Sequence, residues 1–290
     1  VEVRNKLLRL IPAEELASIV GVCERIQLRR HQVLHHYRLP MEYVYFVESG
    51  LVSVAARVDH DKFVEVWLIG SEGLVGAPVL LAAKSVPLHR RTVQVDGEAL
   101  RIKTSDFSKI LEDLPHLRSV VERYLAAVLV QTSQSGACNS YHDLRQRLVR
   151  WLLVARSSLG TDNMPLTHVM LAELLGVRRA SVTQCLEVLQ KEGTLSTRRG
   201  CITVEDAVGL SKLSCDCFSL IEYEYHRHLL LAEHASHRDT DAKHVYICPD
   251  PSESERARAA PNFWLNSPTS SELCFTTNNN DHKIVEKRRS

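Results

Sequence analysis

Arg178, Arg179, Ala180, Ser181, Thr183 and Gln184 follow one another closely, and together they offer groups suited to the edges and backbone of a DNA duplex. Arginine can donate two hydrogen bonds to one guanine, and glutamine can make two to one adenine, so Arg179 and Gln184 are the candidate base readers. Ser181 and Thr183 suit phosphate oxygens. So does His168, together with the free backbone amides of a helix that Thr167 would cap. Further along, Arg198 and Arg199 precede Gly200 between two alternating runs, where a hairpin tip would present both guanidinium groups to the DNA backbone.

Reading base edges requires a helix held in the major groove, and the surrounding sequence supplies one. In THVMLAELLGVRRASVTQCLEVLQKEG, residues 167–193, Ala172 is small where a second helix must cross closely. Gly176 allows the sharp turn between the helices. Leu171, Leu175, Val177, Val182 and Cys185 fill the apolar positions that bury the pair. The second helix is predicted to start near Arg178, with Val182, Leu186 and Leu189 inward and Arg178, Arg179, Ala180, Ser181 and Gln184 outward. A ligand-sensing module that docks proteins rather than DNA could share such a helical hairpin, but would not need a basic outer face. Between 139 and 204 nine basic residues stand against five acidic ones, a local excess hidden within a whole-chain formal charge of +1.

The elements that must position this segment follow two patterns. Residues 5–20 predict short helical pieces. Between 24 and 103 the runs RIQLRR, QVLHHY, EYVYFVESGLVSVAARV, KFVEVWLIG, RTVQV and EALRIK are rich in β-branched and aromatic residues. Turn residues punctuate them at Pro40, Ser49-Gly50, 59–61, 70–73 and Asp96-Gly97, which predicts an antiparallel roll. After Thr104 the pattern becomes helical, with Pro115 suited to a first helical position. Leu117, Val121, Tyr124 and Val128 then step by fours and threes. That seam could face a second helix in a coiled-coil-like contact or be buried within one subunit. Leu125 and Leu129 lie off it and would pack on the roll. A helix over 141–158, a loop over 160–165 and a last helix over 207–228 complete the pattern. The predicted division is a roll over 1–113, a long helix over 114–138, a winged helix-turn-helix over 139–234 and a disordered tail over 235–290.

Several function classes find no support. The eight cysteines are scattered without an export signal, which argues against a disulfide framework. Cys215-x-Cys217, with His226, His228, His234 and His237 beyond it, is a poor zinc signature because it lacks a partner pair, and no metal site is expected. No run reaches the length of a membrane span, so a cytoplasmic location is expected. G-x-S-x-G, H-E-x-x-H, P-loop and G-x-G-x-x-G motifs are missing, so an enzyme is not expected.

The order of parts resembles the Crp/Fnr family of regulators over about residues 5–228, most specifically in HVMLAELLGVRRASVTQCLEVLQKEG, RRGCITV and YVYFVESGLVSV. ACNSYHDLRQRLVRWLL followed by GVRRASVT is similar to a subgroup whose signals are mostly unassigned. The resemblance implies an α+β fold: an N-terminal antiparallel β-roll like a cyclic-nucleotide-binding domain, a long dimerisation helix and a C-terminal winged helix-turn-helix. It implies a homodimer with Leu117, Val121, Tyr124 and Val128 at its interface. It also implies a palindromic operator on double-stranded DNA, and RNA polymerase as a partner if the output is activation. In the cassette GLVGAPVLLAAKSVPLHRRTVQV, it places Gly76, Ala77, Arg91 and Thr92 at the effector-binding positions. Arg91-Thr92 matches the phosphate-binding pair, but Ala77 stands where a ribose-binding carboxylate is required. An unpaired ribose hydroxyl would cost about 1–3 kcal/mol. Cyclic AMP is therefore not the expected effector, and no cofactor is predicted. The iron–sulfur members carry an N-terminal cysteine cluster, where this chain has only Cys23. Ala180 replaces the acidic residue that follows the activator's arginine, which implies a different operator.

Overall fold

The β-branched and aromatic runs of the N-terminal half pack well on a pleated surface and form one antiparallel sheet. In the computed structural model, which describes residues 2–60, 62–81 and 86–229, its strands are β1 (Glu24–Leu28), β2 (Val33–His35), β3 (Tyr43–Arg57), β4 (Phe63–Ile69), β5 (Leu74–Val75) and β6 (His89–Lys103). The order is β1-β6-β3-β4, with β2 paired to β6 and β5 to β3. Ser49-Gly50 and Asp96-Gly97, expected to punctuate strands, instead face one another inside β3 and β6. The register slips there, the mark of bulges that bend a strand without ending it. Gly97 must be glycine, because a Cβ would lie 2.0 Å from the Ser49 carbonyl oxygen.

Helices close this sheet. A 3-10 turn (Leu8–Leu10) and α1 (Ala13–Val22) precede it; α2 (Thr104–Asp113) and the long α3 (Pro115–Tyr141) follow. Leu117, Val121, Tyr124 and Val128 of α3 join Phe46, Val54 and Ile69 in the core of the roll, each at most 7% exposed. This corrects the expected dimer seam, since those four residues are covered by the subunit itself. Periodicity marks a buried face and says nothing about what covers it. Leu125 packs in the same core as expected, whereas Leu129 is 63% exposed. The outward side of α3 carries its own stripe in steps of three and four: Ser119, Glu122, Ala126, Leu129, Ser133, Gly136 and Ser140, all exposed but the half-buried Ala126.

In the C-terminal half α4 (Leu144–Leu159) opens on a capping box between Asp143 and Gln146. Then come β7 (Asn163–Met164), α5 (His168–Leu175), α6 (Arg179–Lys191), β8 (Leu195–Arg198), β9 (Cys201–Val204), α7 (Ala207–Lys212) and α8 (Cys217–Leu229). The expected hairpin gains a third strand, in the order β7-β9-β8. The single helix expected over 207–228 is broken into α7 and α8. The tail expected over 235–290 lies outside the described residues. Among the described residues no helix is long and apolar enough to cross a membrane.

Leu148, Trp151, Leu171, Val182 and Ile202 form a second core, which also takes in Leu51, Leu68 and Val95 from the sheet. Burying each such aliphatic side chain contributes roughly 1.5–3 kcal/mol. Across this junction Trp151 Nε1 donates to Glu65 Oε2 at 2.9 Å, with both residues buried. Desolvation pushes the Glu65 carboxyl from 4.5 up to about 7, against the lowering pull of Arg150 and of the Trp151 hydrogen bond. A carboxyl raised in the folded state contributes stability that is complete below its unfolded value and lost as pH rises through the folded one. Glu65→Gln keeps an acceptor for Trp151 but cannot ionise. Thermal unfolding of both proteins should show the wild type losing ground to Glu65→Gln between pH 4.5 and about 7, by at most about 1.4 kcal/mol per pH unit, and a constant difference above that. A difference independent of pH would contradict this account of the junction.

Candidate nucleic-acid interface

The Thr167 hydroxyl accepts the Met170 backbone N–H at 3.2 Å and so caps α5. Gly176 ends α5 at φ +67°, in the left-handed region that favours glycine. A Cβ there would also come within 3.1 Å of Val64. With the turn made, α6 begins at Arg179, with Arg178 at its N-cap position. Val182, Leu186 and Leu189 are buried beneath it. Its opposite face presents Arg178, Arg179, Ala180 and Gln184 to solvent, with Ser181 half-buried beside them.

His168 and Thr183 behave differently from their sequence-based expectation. His168 Nδ1 lies 2.9 Å from Thr183 Oγ1, so two groups expected on phosphates bond each other and brace α5 against α6. Desolvation, and secondarily the charge of Arg179, lower the His168 pKa, which leaves the imidazole neutral at neutral pH.

β8 and β9 pair from Leu195↔Val204 to Arg198↔Cys201, and Gly200 turns the chain between them at φ +77°. Arg198 and Arg199 are exposed at the tip. Gln190, near the end of α6, fastens this wing to the helix: its Oε1 accepts the Thr197 amide at 3.2 Å and the Thr197 hydroxyl at 2.8 Å. Sequence reasoning missed Gln190, since a polar residue on an exposed helix face carries no signal of a partner on the following strand. Among the described residues none of Arg178, Arg179, Arg198 and Arg199 forms an ion pair, so their charges stay available for phosphates. Arg145 and Arg156, by contrast, are paired with Glu192 and Asp162.

The effector cassette lies on the roll. Gly76, at φ +104°, opens the 3-10 turn Ala77–Leu80. Arg91 is 1% exposed. Its Nη1 donates to the His89 carbonyl at 3.4 Å, and its Nε has no partner among the described residues. Desolvation brings its pKa down to about 10. Thr92 follows on β6 and by strand alternation points to the other face of the sheet, so it does not converge with Arg91. The space left among Trp67, Gly76, Ala77, Arg91 and Tyr124 is about 10 Å³, enough for one water. A larger cavity of about 160 Å³ opens between α3, α4, α8 and the N-terminal segment. On its wall Tyr225 Oη donates to Gln131 Oε1 at 2.8 Å. Because those segments are far apart in sequence, nothing in the sequence pointed to it.

Comparison with known proteins supplies a lineage for both halves. Residues 25–113 match the model of the cyclic nucleotide-binding domain, and residues 146–213 match that of the Crp-like helix-turn-helix domain. The global nitrogen regulator of Nostoc sp. is 26% identical over 181 residues, which covers 60% of this chain and 81% of that protein. The anaerobic regulatory protein of Bacillus subtilis is 21% identical over 194 residues, covering 64% and 82%. FixK2 from Bradyrhizobium japonicum has a TM-score of 0.58 at 17% identity, covering 67% of this chain and 98% of its own. The c-di-GMP-responsive global regulator CLP of Xanthomonas campestris has a TM-score of 0.56 at 20% identity, covering 67% and 99%. These two structural likenesses show the fold. Crp/Fnr regulators bind DNA and act as dimers. With both halves matched in the family's order, the chain belongs to the Crp/Fnr family of transcription regulators.

Proposed function

We propose that a homodimer of this chain reads a palindromic operator on double-stranded DNA through two copies of α6, under the control of a signal received in the roll. The observation that carries this reading is the set of exposed arginines on the N-terminal face of α6 and on the wing, which have no ion pair among the described residues. Arg179 and Gln184 contact base edges. Arg178, Ser181, Arg198, Arg199 and the N-terminal amides of α5 hold phosphates. His168 and Thr183 act together as a brace and reach DNA only through the helices they position. A module that merely docks proteins would have no use for two such cations at the start of α6 and two more on the wing. The protein acts in the cytoplasm, and contacts RNA polymerase if its output is activation.

The dimer forms on the outward stripe of α3. Small residues at Ser119, Ala126, Ser133, Gly136 and Ser140, around the exposed Leu129, let two parallel copies approach closely. In this reading the effector is not cyclic AMP, supported by Ala77 in place of a carboxylate and by the small space beside Arg91.

Binding titrations at several salt concentrations, on the preferred operator and on a scrambled one, separate the DNA roles. Arg179→Ala should cost roughly 1–3 kcal/mol on the operator and relax preference at one base pair per half-site. Arg198→Ala or Arg199→Ala should weaken both DNAs alike and flatten the salt dependence. Equal weakening by Arg179→Ala would make Arg179 a phosphate contact and overturn the assignment. In sedimentation the wild type should be a dimer at micromolar concentration and Leu129→Glu a monomer with an unchanged fold; a dimeric Leu129→Glu would place the interface elsewhere. In calorimetry millimolar cyclic AMP should give no binding heat, and a saturable isotherm would show that the pocket opens for it.

A further inference from the structure

Cys138, His142, Cys215 and Cys217 bring one ligand atom each to a common point, all within 4.8 Å of one another. Cys138 lies in the last turn of α3, and His142 follows that helix one turn later, its amide donating to the Cys138 carbonyl at 3.0 Å. Cys215 stands in the turn before α8, and Cys217 is the first residue of α8. The three cysteines are buried and form a cluster of their own, separate from the two apolar cores. Cys138 Sγ lies 3.6 Å from Cys215 Sγ, and Cys217 Sγ lies 3.6 Å from His142 Nδ1. Neither C-x-C nor C-x-x-x-H identifies a site alone; the fold makes them two halves of one. His226 and His228, which follow Cys215-x-Cys217 in the sequence, lie outside this cluster.

We propose that this Cys₃His set is a structural zinc site that clamps α8 to the end of α3. Three thiolates and one imidazole are a closed tetrahedral donor set, and zinc–sulfur bonds of about 2.3 Å place the sulfurs at the corners of a tetrahedron with edges near 3.8 Å. The observed sulfur–sulfur separation of 3.6 Å fits that edge, and the 3.6 Å from Cys217 Sγ to His142 Nδ1 fits the slightly shorter sulfur–nitrogen edge. An iron–sulfur cluster, with each cysteine on a different iron, would hold the sulfurs much further apart than this group allows. On binding, Zn²⁺ forms three Zn–S bonds and one Zn–N bond and releases the three thiol protons to solvent, with no change of oxidation state. The product carries one net negative charge, and its surroundings suit that charge. Gln134 Nε2 donates to Cys217 Sγ at 3.1 Å. Arg150 is buried beside Cys138, its Nη1 on Ser135 Oγ at 2.8 Å and its Nε without a partner among the described residues. Amide and guanidinium donors around metal-bound thiolates are the outer partners that such sites need. Because α3 bears the proposed dimer stripe and α8 ends the winged half, the clamp fixes one relative to the other.

The test is elemental analysis of the full chain purified without chelator, followed by exchange with cobalt. The expected result is one zinc per chain, and a cobalt form with tetrahedral d–d absorption and a thiolate-to-cobalt charge-transfer band. Cys217→Ser and Cys138→Ser should lose the metal and the charge-transfer band. His142→Cys should keep both, since it supplies a fourth thiolate, and that rescue guards against a variant that simply fails to fold. Zinc retained undiminished by a Cys138→Ser/Cys215→Ser/Cys217→Ser variant would mean metal held elsewhere and would overturn the proposal. So would peptide mapping of the untreated protein that finds Cys138 joined to Cys215 in a disulfide.

Discussion

A helix has one circumference, and α3 has to serve three partners with it. One face closes the roll through Leu117, Val121, Tyr124 and Val128. Another meets α8, where Tyr225 reaches Gln131. The last stripe, with Leu129 at its middle, faces outward. Once the first face is committed to the core, a carboxylate at Val121 would be a defect of the subunit before it could disturb an interface, because burying an isolated charge is far more costly than exposing an apolar side chain. The rest of the molecule hangs on this partition. The roll is complete only with α3 against it, and the winged half is held at the far end of the same helix.

The second organising feature is the contrast between paired and unpaired cations. Arg145 and Arg156 have carboxylate partners, and Arg150 is buried on Ser135. Among the described residues, the arginines around the start of α6 and at the wing tip have none. A protein stabilising itself through surface ion pairs would gain little from any one of them. Unpaired arginines at the start of α6 and at the wing tip are instead groups that a polyanion can use. Local chemistry sharpens the geometry: His168 is neutral and spent on Thr183, so it steadies the two helices instead of adding charge.

How much of this was legible in the sequence depends on how local each interaction is. The helix-turn-helix could be read almost residue by residue, because Thr167, Ala172, Gly176 and Val182 act on neighbours within one or two turns. The strands could be read as strands, but not that Asp96-Gly97 lies inside one, since a bulge and a turn use the same residues and only the facing strand decides between them. The burial of the Leu117–Val128 seam was visible and its partner was not. The bond between Glu65 and Trp151, the anchor from Gln190 to Thr197 and the convergence of Cys138 and His142 with Cys215 and Cys217 left no local signature. Each joins residues that periodicity treats as unrelated.

The measurement that tests the central claim most directly is selection of DNA bound by the full chain from a random pool at a stated salt concentration. Two copies of α6 related by a twofold axis predict enrichment of a palindrome whose half-sites lie about one helical turn apart, roughly 34–36 Å. Enrichment of a single unrepeated site, or of no sequence at all, would contradict the account of a dimer that reads bases through α6.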